Sequence, residues 1–142
     1  MNEMLGNYYF IINNYEEAAK EYEIAFSKNP KNYLIAQRLI MCYLKLNNIY
    51  KATDLFEQLI NKNKTQTNDR FLDEENCPCK ELIFFFEHQK NNLSDVERET
   101  ALGILWYYCD KRVSKKYFNN LSKKVPLNKR IIKISKKLNQ SN

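Results

Sequence analysis

Leu5-Gly6-Asn7-Tyr8-Tyr9, followed by Ala18, Tyr22, Ala25 and Pro30, is the run of residues whose reading decides the fold. The pattern returns without a gap. Leu39, Tyr43, Ala52, Phe56 and Leu59 each stand 34 residues after Leu5, Tyr9, Ala18, Tyr22 and Ala25. A fixed period of this length marks an array of small structural units rather than one irregular core. Within each copy the apolar residues recur at helical spacing, as in Ala18, Tyr22 and Ala25 or Leu55, Phe56, Leu59 and Ile60. Asn13-Asn14 and Asn47-Asn48 interrupt the two runs, so each copy reads as helix, short turn, helix. Gly6, Ala18 and Ala52 are small where two antiparallel helices must approach closely. Pro30 closes the first copy just past a helix end.

Leu5-Gly6-x-x-Tyr9, Ala18, Tyr22, Ala25 and Pro30 together resemble the tetratricopeptide-repeat (TPR) signature. The second copy departs from it at Ile40, where the family prefers Gly, and at Lys64, where it prefers Pro. Slightly looser helix packing and a less sharply fixed end are expected there. A third copy follows an interruption: Leu102-Gly103-x-x-Trp106, Ser114, Phe118, Leu121 and Pro126. Leu102 to Pro126 spans 24 residues against 25 from Leu5 to Pro30, so the turn near Asp110 is one residue shorter.

Ser94-Asp95-Val96-Glu97 reads as a capping box that opens a helix over about 95–109. Residues 61–76 have the polar composition of a loop. Pro78 can sit in the first turn of an aromatic helix through Leu82-Ile83-Phe84-Phe85-Phe86, expected to pack between the second and third repeats. The last segment carries Ile131, Ile134 and Leu138 on one face and lysines mostly elsewhere, as a closing helix requires. The expected architecture is all-α: a right-handed stack of about three TPR helix-turn-helix pairs with an inserted aromatic helix and a C-terminal capping helix. It would form a single domain over 1–142, with repeats at about 3–32, 33–62 and 96–127, a loop and extra helix at 63–93, and a cap at 128–139.

Composition agrees with helices. Two Gly and 3 Pro in 142 residues are too few for an all-β fold with many tight turns. Residues 1–7 lack the basic patch, apolar run and cleavage site of a secretory signal, and no stretch approaches the roughly 18–20 apolar residues of a membrane span. A cytoplasmic protein is expected, with Cys42, Cys77, Cys79 and Cys109 kept as thiols rather than structural disulfides. The net charge of +6 is uneven: beyond residue 110 there are 11 basic residues and no acidic one.

The resemblance implies that the first helix of each pair lines a concave groove that holds a partner segment. One helical face selects Glu3, Asn7 and Phe10, then Leu34, Gln37, Arg38, Met41 and Lys45, then Thr100, Ile104, Tyr107 and Tyr108. Of these, Asn7, Phe10, Gln37, Arg38, Met41, Lys45, Ile104, Tyr107 and Tyr108 are the candidate partner-binding residues. For Phe10, Leu34, Tyr107 and Tyr108 the competing reading is core packing. Asn7 and Arg38 occupy places that some family members use to clamp a C-terminal carboxylate, but Glu3 stands where the first Lys of that set belongs and would repel one.

A protein-interaction adaptor or small co-chaperone is therefore the leading expectation. The alternative is a nucleic-acid-associated or regulatory protein that binds through its basic C-terminal surface, although only Tyr117 stands beside those charges for base stacking. Cys77-Pro78-Cys79 lacks the two-residue spacing and the second pair of a usual zinc site. The single histidine, His88, and two isolated glycines supply neither a catalytic set nor a phosphate loop. No catalytic residue, metal or cofactor is expected. The first repeat has no helix before Met4 to cover its outer edge, which leaves that edge open to homodimerisation.

Overall fold

The computed structural model describes residues 1–62, 79–88 and 92–140. Among them lie eight α-helices and no strand: α1 (Asn2–Ile11), α2 (Tyr15–Lys28), α3 (Tyr33–Lys45), α4 (Ile49–Lys62), α5 (Cys79–His88), α6 (Asp95–Cys109), α7 (Lys111–Lys124) and α8 (Lys129–Gln140). The chain is an all-α helical repeat. Lys64, where the second copy departs from the signature, lies outside the described residues.

Asparagine sets most of the helix starts. The side-chain oxygens of Asn14, Asn32, Asn48 and Asn128 accept the backbone N–H three residues on, at 3.4, 3.2, 3.2 and 3.1 Å, and so satisfy a donor that the first helical turn leaves without a partner. Asn13 and Asn47, just before two of these caps, have φ of 63° and 59°. This left-handed conformation costs asparagine less than most residues, and it lets the chain reverse between the helices of the first two pairs. The third pair turns differently. Asp110 is extended, donates its own N–H to the Trp106 carbonyl at 2.6 Å, and accepts the Arg112 N–H on its carboxylate at 3.0 Å. One residue thus ends α6 and starts α7, the physical form of the shorter turn.

The connections after α2 and α7 are alike. In Asn29-Pro30-Lys31-Asn32 and Val125-Pro126-Leu127-Asn128, the N–H of the fourth residue returns to the carbonyl of the first, at 3.1 and 3.0 Å. Proline presets the second position of such a turn and holds the residue before it out of the helical region. The capping box at α6 is complete: Glu97 N–H donates to the Ser94 hydroxyl at 3.1 Å, and Ser94 N–H to the Glu97 carboxylate at 3.0 Å.

The chain divides into two compact units, Met1–Leu55 and Phe56–Asn142, with the boundary inside α4. In the first, α2 packs against both α1 and α3. Ala18 and Tyr22 are wholly buried, and the backbone of Gly6 lies against the Tyr22 ring. In the second, α7 packs against both α6 and α8, and Gly103 meets Phe118 as Gly6 meets Tyr22. Here the buried Ser114 hydroxyl also donates to the Gly103 carbonyl at 2.6 Å, a bond that Ala18 and Ala52 cannot make. Ile131, Ile134 and Leu138 of α8 are buried.

The aromatic helix α5 packs on α6, with Leu82, Ile83 and Phe86 buried. Within the second unit Phe56 of α4 lies edge-on to Tyr107 at 5.1 Å between ring centroids and stacked on Phe118 at 5.9 Å. One expectation is corrected: Cys79, expected as a thiol, is buried and disulfide-bonded, whereas Cys42 and Cys109 are free. Cys77 lies outside the described residues.

Candidate functional site

In the first unit three helices converge on one oxygen. Tyr22 of α2 donates its hydroxyl to Asn7 Oδ1 at 2.6 Å, and Arg38 of α3 donates a guanidinium N–H to the same atom. Asn7 lies on α1, half-buried. With Oδ1 occupied twice, the amide orientation of Asn7 is set, and its Nδ2 has no hydrogen-bond partner among the described residues. The Arg38 guanidinium also lies 5.8 Å from the centroid of the buried Phe10 ring. Phe10 in turn meets Tyr15 and Tyr22 edge-on at 5.6 and 6.2 Å. At the far end of α3, the Lys45 ammonium stands 5.5 Å from the Tyr15 ring centroid. A row of Asn7, Arg38, Phe10, Tyr15 and Lys45 therefore links α1, α2 and α3.

The electrostatics follow from burial. Loss of solvent pushes the Tyr22 phenol up to about 12, against the opposing pull of the Arg38 charge, and Glu3 is near enough to add to the rise. The Cys42 thiol is likewise pushed up to about 12 by burial, with Arg38 again opposing. This makes Cys42 a small apolar filler rather than a nucleophile. Tyr43 is raised further, first by burial and then by its hydrogen bond to Glu23.

Asn7, Phe10 and Arg38 are thus brought together, with Lys45 joined to them through Tyr15. Gln37 and Met41 are buried, and Met41 has no exposed surface. In the second unit Ile104 is wholly buried. Tyr107 and Tyr108 are nearly so, edge-on to each other and to Phe56. Burial raises the Tyr108 phenol, with Tyr107 adding to the shift. The Lys111 ammonium lies 5.3 Å from the Tyr107 ring centroid.

The remaining candidates are scattered. His88 is exposed at the end of α5, its ring stacked on Phe84 at 4.1 Å and its Nδ1 3.0 Å from the Phe84 carbonyl. Among the described residues no three His, Cys, Asp or Glu side chains group to hold a metal ion. No helix among them is long and apolar enough to cross a membrane. In the basic segment, Lys124 pairs with Glu99 at 2.7 Å and Arg130 with Glu57 at 3.2 Å, so part of its charge is answered within the second unit.

Sequence reasoning missed Tyr15 and the shared role of Tyr22 as members of the polar row. The outer edge of the first repeat is the outward face of α1, where Met1, Met4, Leu5, Tyr8, Ile11 and Ile12 are exposed. That face was legible as an apolar residue at almost every outward position of one short helix.

Recurring helical hairpins that hold one surface in place define a helical-repeat scaffold. Residues 13–68 match the family model described as tetratricopeptide repeat, a stretch that contains all of α2, α3 and α4. Residues 13–68 thus resemble tetratricopeptide repeats, and repeats of this family generally mediate protein–protein interaction. No curated protein and no solved structure matches it.

Proposed function

We propose that the chain is a protein-interaction adaptor, or small co-chaperone, that holds an extended or helical segment of a partner against the face formed by Asn7, Arg38 and Lys45. One observation carries the reading. Tyr22 and Arg38 occupy Asn7 Oδ1, which leaves the amide N–H groups directed to a partner carbonyl. An orientation set in advance lowers the ordering cost of binding. Phe10 and Tyr15 supply a rigid aromatic floor, and Lys45 adds a positive charge at the far end. Glu3 makes a free C-terminal carboxylate a poor guest, so an internal segment is the better match. The buried Gln37, Met41, Ile104, Tyr107 and Tyr108 support the scaffold in this reading.

The 11 basic residues beyond position 110 favour a second reading, binding of nucleic acid or an acidic regulator through α7 and α8. Site-specific photo-crosslinkers at Lys45 and at the exposed Lys133, used in separate preparations in the native cell, distinguish the two. A discrete protein crosslinked at position 45 and retained at high salt supports the adaptor. Crosslinks only at position 133, to nuclease-sensitive material lost at high salt, would replace it with the second reading.

A further inference from the structure

The outward arc of α1 carries Met1, Met4, Leu5, Tyr8, Ile11 and Ile12, every one of them exposed; Met4 and Ile11 are 74% and 71% exposed. No charged side chain interrupts this arc. Glu3, the single charged residue of α1, is half-buried one position from the arc's edge. The opposite side of the same helix buries Gly6 and Phe10. A helix apolar on both sides is ordinarily covered on both. At about 150–200 Å2 for a fully exposed large side chain, the six present on the order of 600–800 Å2. That exceeds the roughly 300–600 Å2 of the largest apolar patch on a typical monomer. It approaches the ~800 Å2 that each partner contributes to a stable interface.

The second unit shows what such a helix requires. There α6, the first helix of its pair as α1 is of its own, is packed by α5, whose Leu82, Ile83 and Phe86 are buried. Here α1 packs on α2 and is reached by Arg38 of α3, while its outward arc stays exposed among the described residues. We infer that a second copy of this chain supplies it, through an antiparallel two-fold pairing of α1 with α1.

Self-pairing suits this face on two counts. An arc without charged side chains sets no like-charged side chains against each other when it meets itself. Its rim is also complementary under the two-fold. Asn2 donates to the Glu21 carboxylate at 2.9 Å and accepts from the Lys28 ammonium at 3.2 Å, which places the edge of α2 beside the arc. That edge is acidic in its first turn, at Glu16 and Glu17, and basic in its last, at Lys28. Reversal of the helix direction in the partner copy brings the basic end of one edge to the acidic end of the other. A two-fold interface is isologous, so one such complementarity is made twice. The dimer face lies on the opposite side of α1 from Phe10, with Asn7 at its border beside Met4 and Ile11 and with Lys45 on α3.

Sedimentation or light scattering of the full chain at about 100 µM, within the range where modest self-association is populated, tests this against Tyr8→Lys/Ile11→Lys. Both positions are exposed, so the variant should keep the helical circular dichroism of the parent. The expected result is a mass of twice 17.1 kDa for the parent and 17.1 kDa for the variant. A parent monomeric at that concentration overturns the inference and leaves the arc to a different protein or another segment. A variant that remains dimeric overturns it by placing the contact elsewhere. Protein crosslinking at Lys45 is expected to persist in the monomeric variant, so failure of either proposal is read separately.

Discussion

Gly6 lies so close to Tyr22 that a methyl group at position 6 would come within 2.7 Å of ring atoms Cδ1 and Cε1. The ring has little room to retreat, because it is wholly buried and its hydroxyl is bonded to Asn7 at 2.6 Å. Gly6→Ala should gain about 1 kcal/mol of helix propensity and lose about 1–3 kcal/mol to overpacking. A net loss of about 0–2 kcal/mol is expected by denaturant titration. Gly103→Ala, whose new methyl would come within 2.8 Å of Phe118, should behave alike. A Gly6→Ala protein stabilised by the full ~1 kcal/mol of helix propensity would contradict this packing.

Asn7→Ala removes the acceptor shared by Tyr22 and Arg38. Leaving a buried donor without its partner costs about 1–3 kcal/mol. Asn7→Asp keeps the acceptor oxygen and should lie within about 1 kcal/mol of the parent. If the two variants proved equally unstable, hydrogen bonding would not be the cause.

The left-handed backbone at Asn13 and Asn47 sets a different test. Asn13→Gly should leave stability nearly unchanged, whereas Asn13→Val should lose about 1–2 kcal/mol, because a branched side chain clashes in that conformation. Thermal melts of the two variants, with Asn47 treated in parallel, check the order.

Alkali should unfold the protein through its buried acids. In the folded chain burial pushes Cys42 from 9.0 to about 12 and Tyr22 from 10.0 to about 12, and Tyr43 and Tyr108 are raised as well. Each group stays neutral when folded and ionises sooner when unfolded, so its contribution is whole below the unfolded value and is lost as pH rises toward the folded one. Stability should hold to about pH 9 and fall through about pH 12. Cys42→Ala removes the earliest of these ionisations and should move the onset toward pH 10. An onset identical in parent and variant would show that Cys42 plays no part.

Much of the fold could be read from short-range chemistry. The helix over 95–109, the Asn13-Asn14 and Asn47-Asn48 turns and the shorter turn at Asp110 depend on bonds between residues no more than five apart, and they stand where spacing and capping residues placed them. The candidate site was legible only in part. Asn7, Phe10 and Arg38 were chosen by helical face and do meet, but the same face also selected Met41 and Ile104, which are wholly buried. A helical face records direction, not how near the next helix comes.

By itself the sequence determined the 34-residue period, the hairpins it produces and the small residues that let their helices touch, since these follow from local backbone preference and side-chain size. Only the tertiary structure decided that Tyr22 and Arg38, 15 and 31 residues from Asn7, share its one oxygen. It also decided that Phe56 stacks on Phe118, and that the outer arc of α1 is exposed among the described residues. Which distant side chains meet, and which face stays uncovered, is set when the hairpins pack, because close packing is a property of several helices at once.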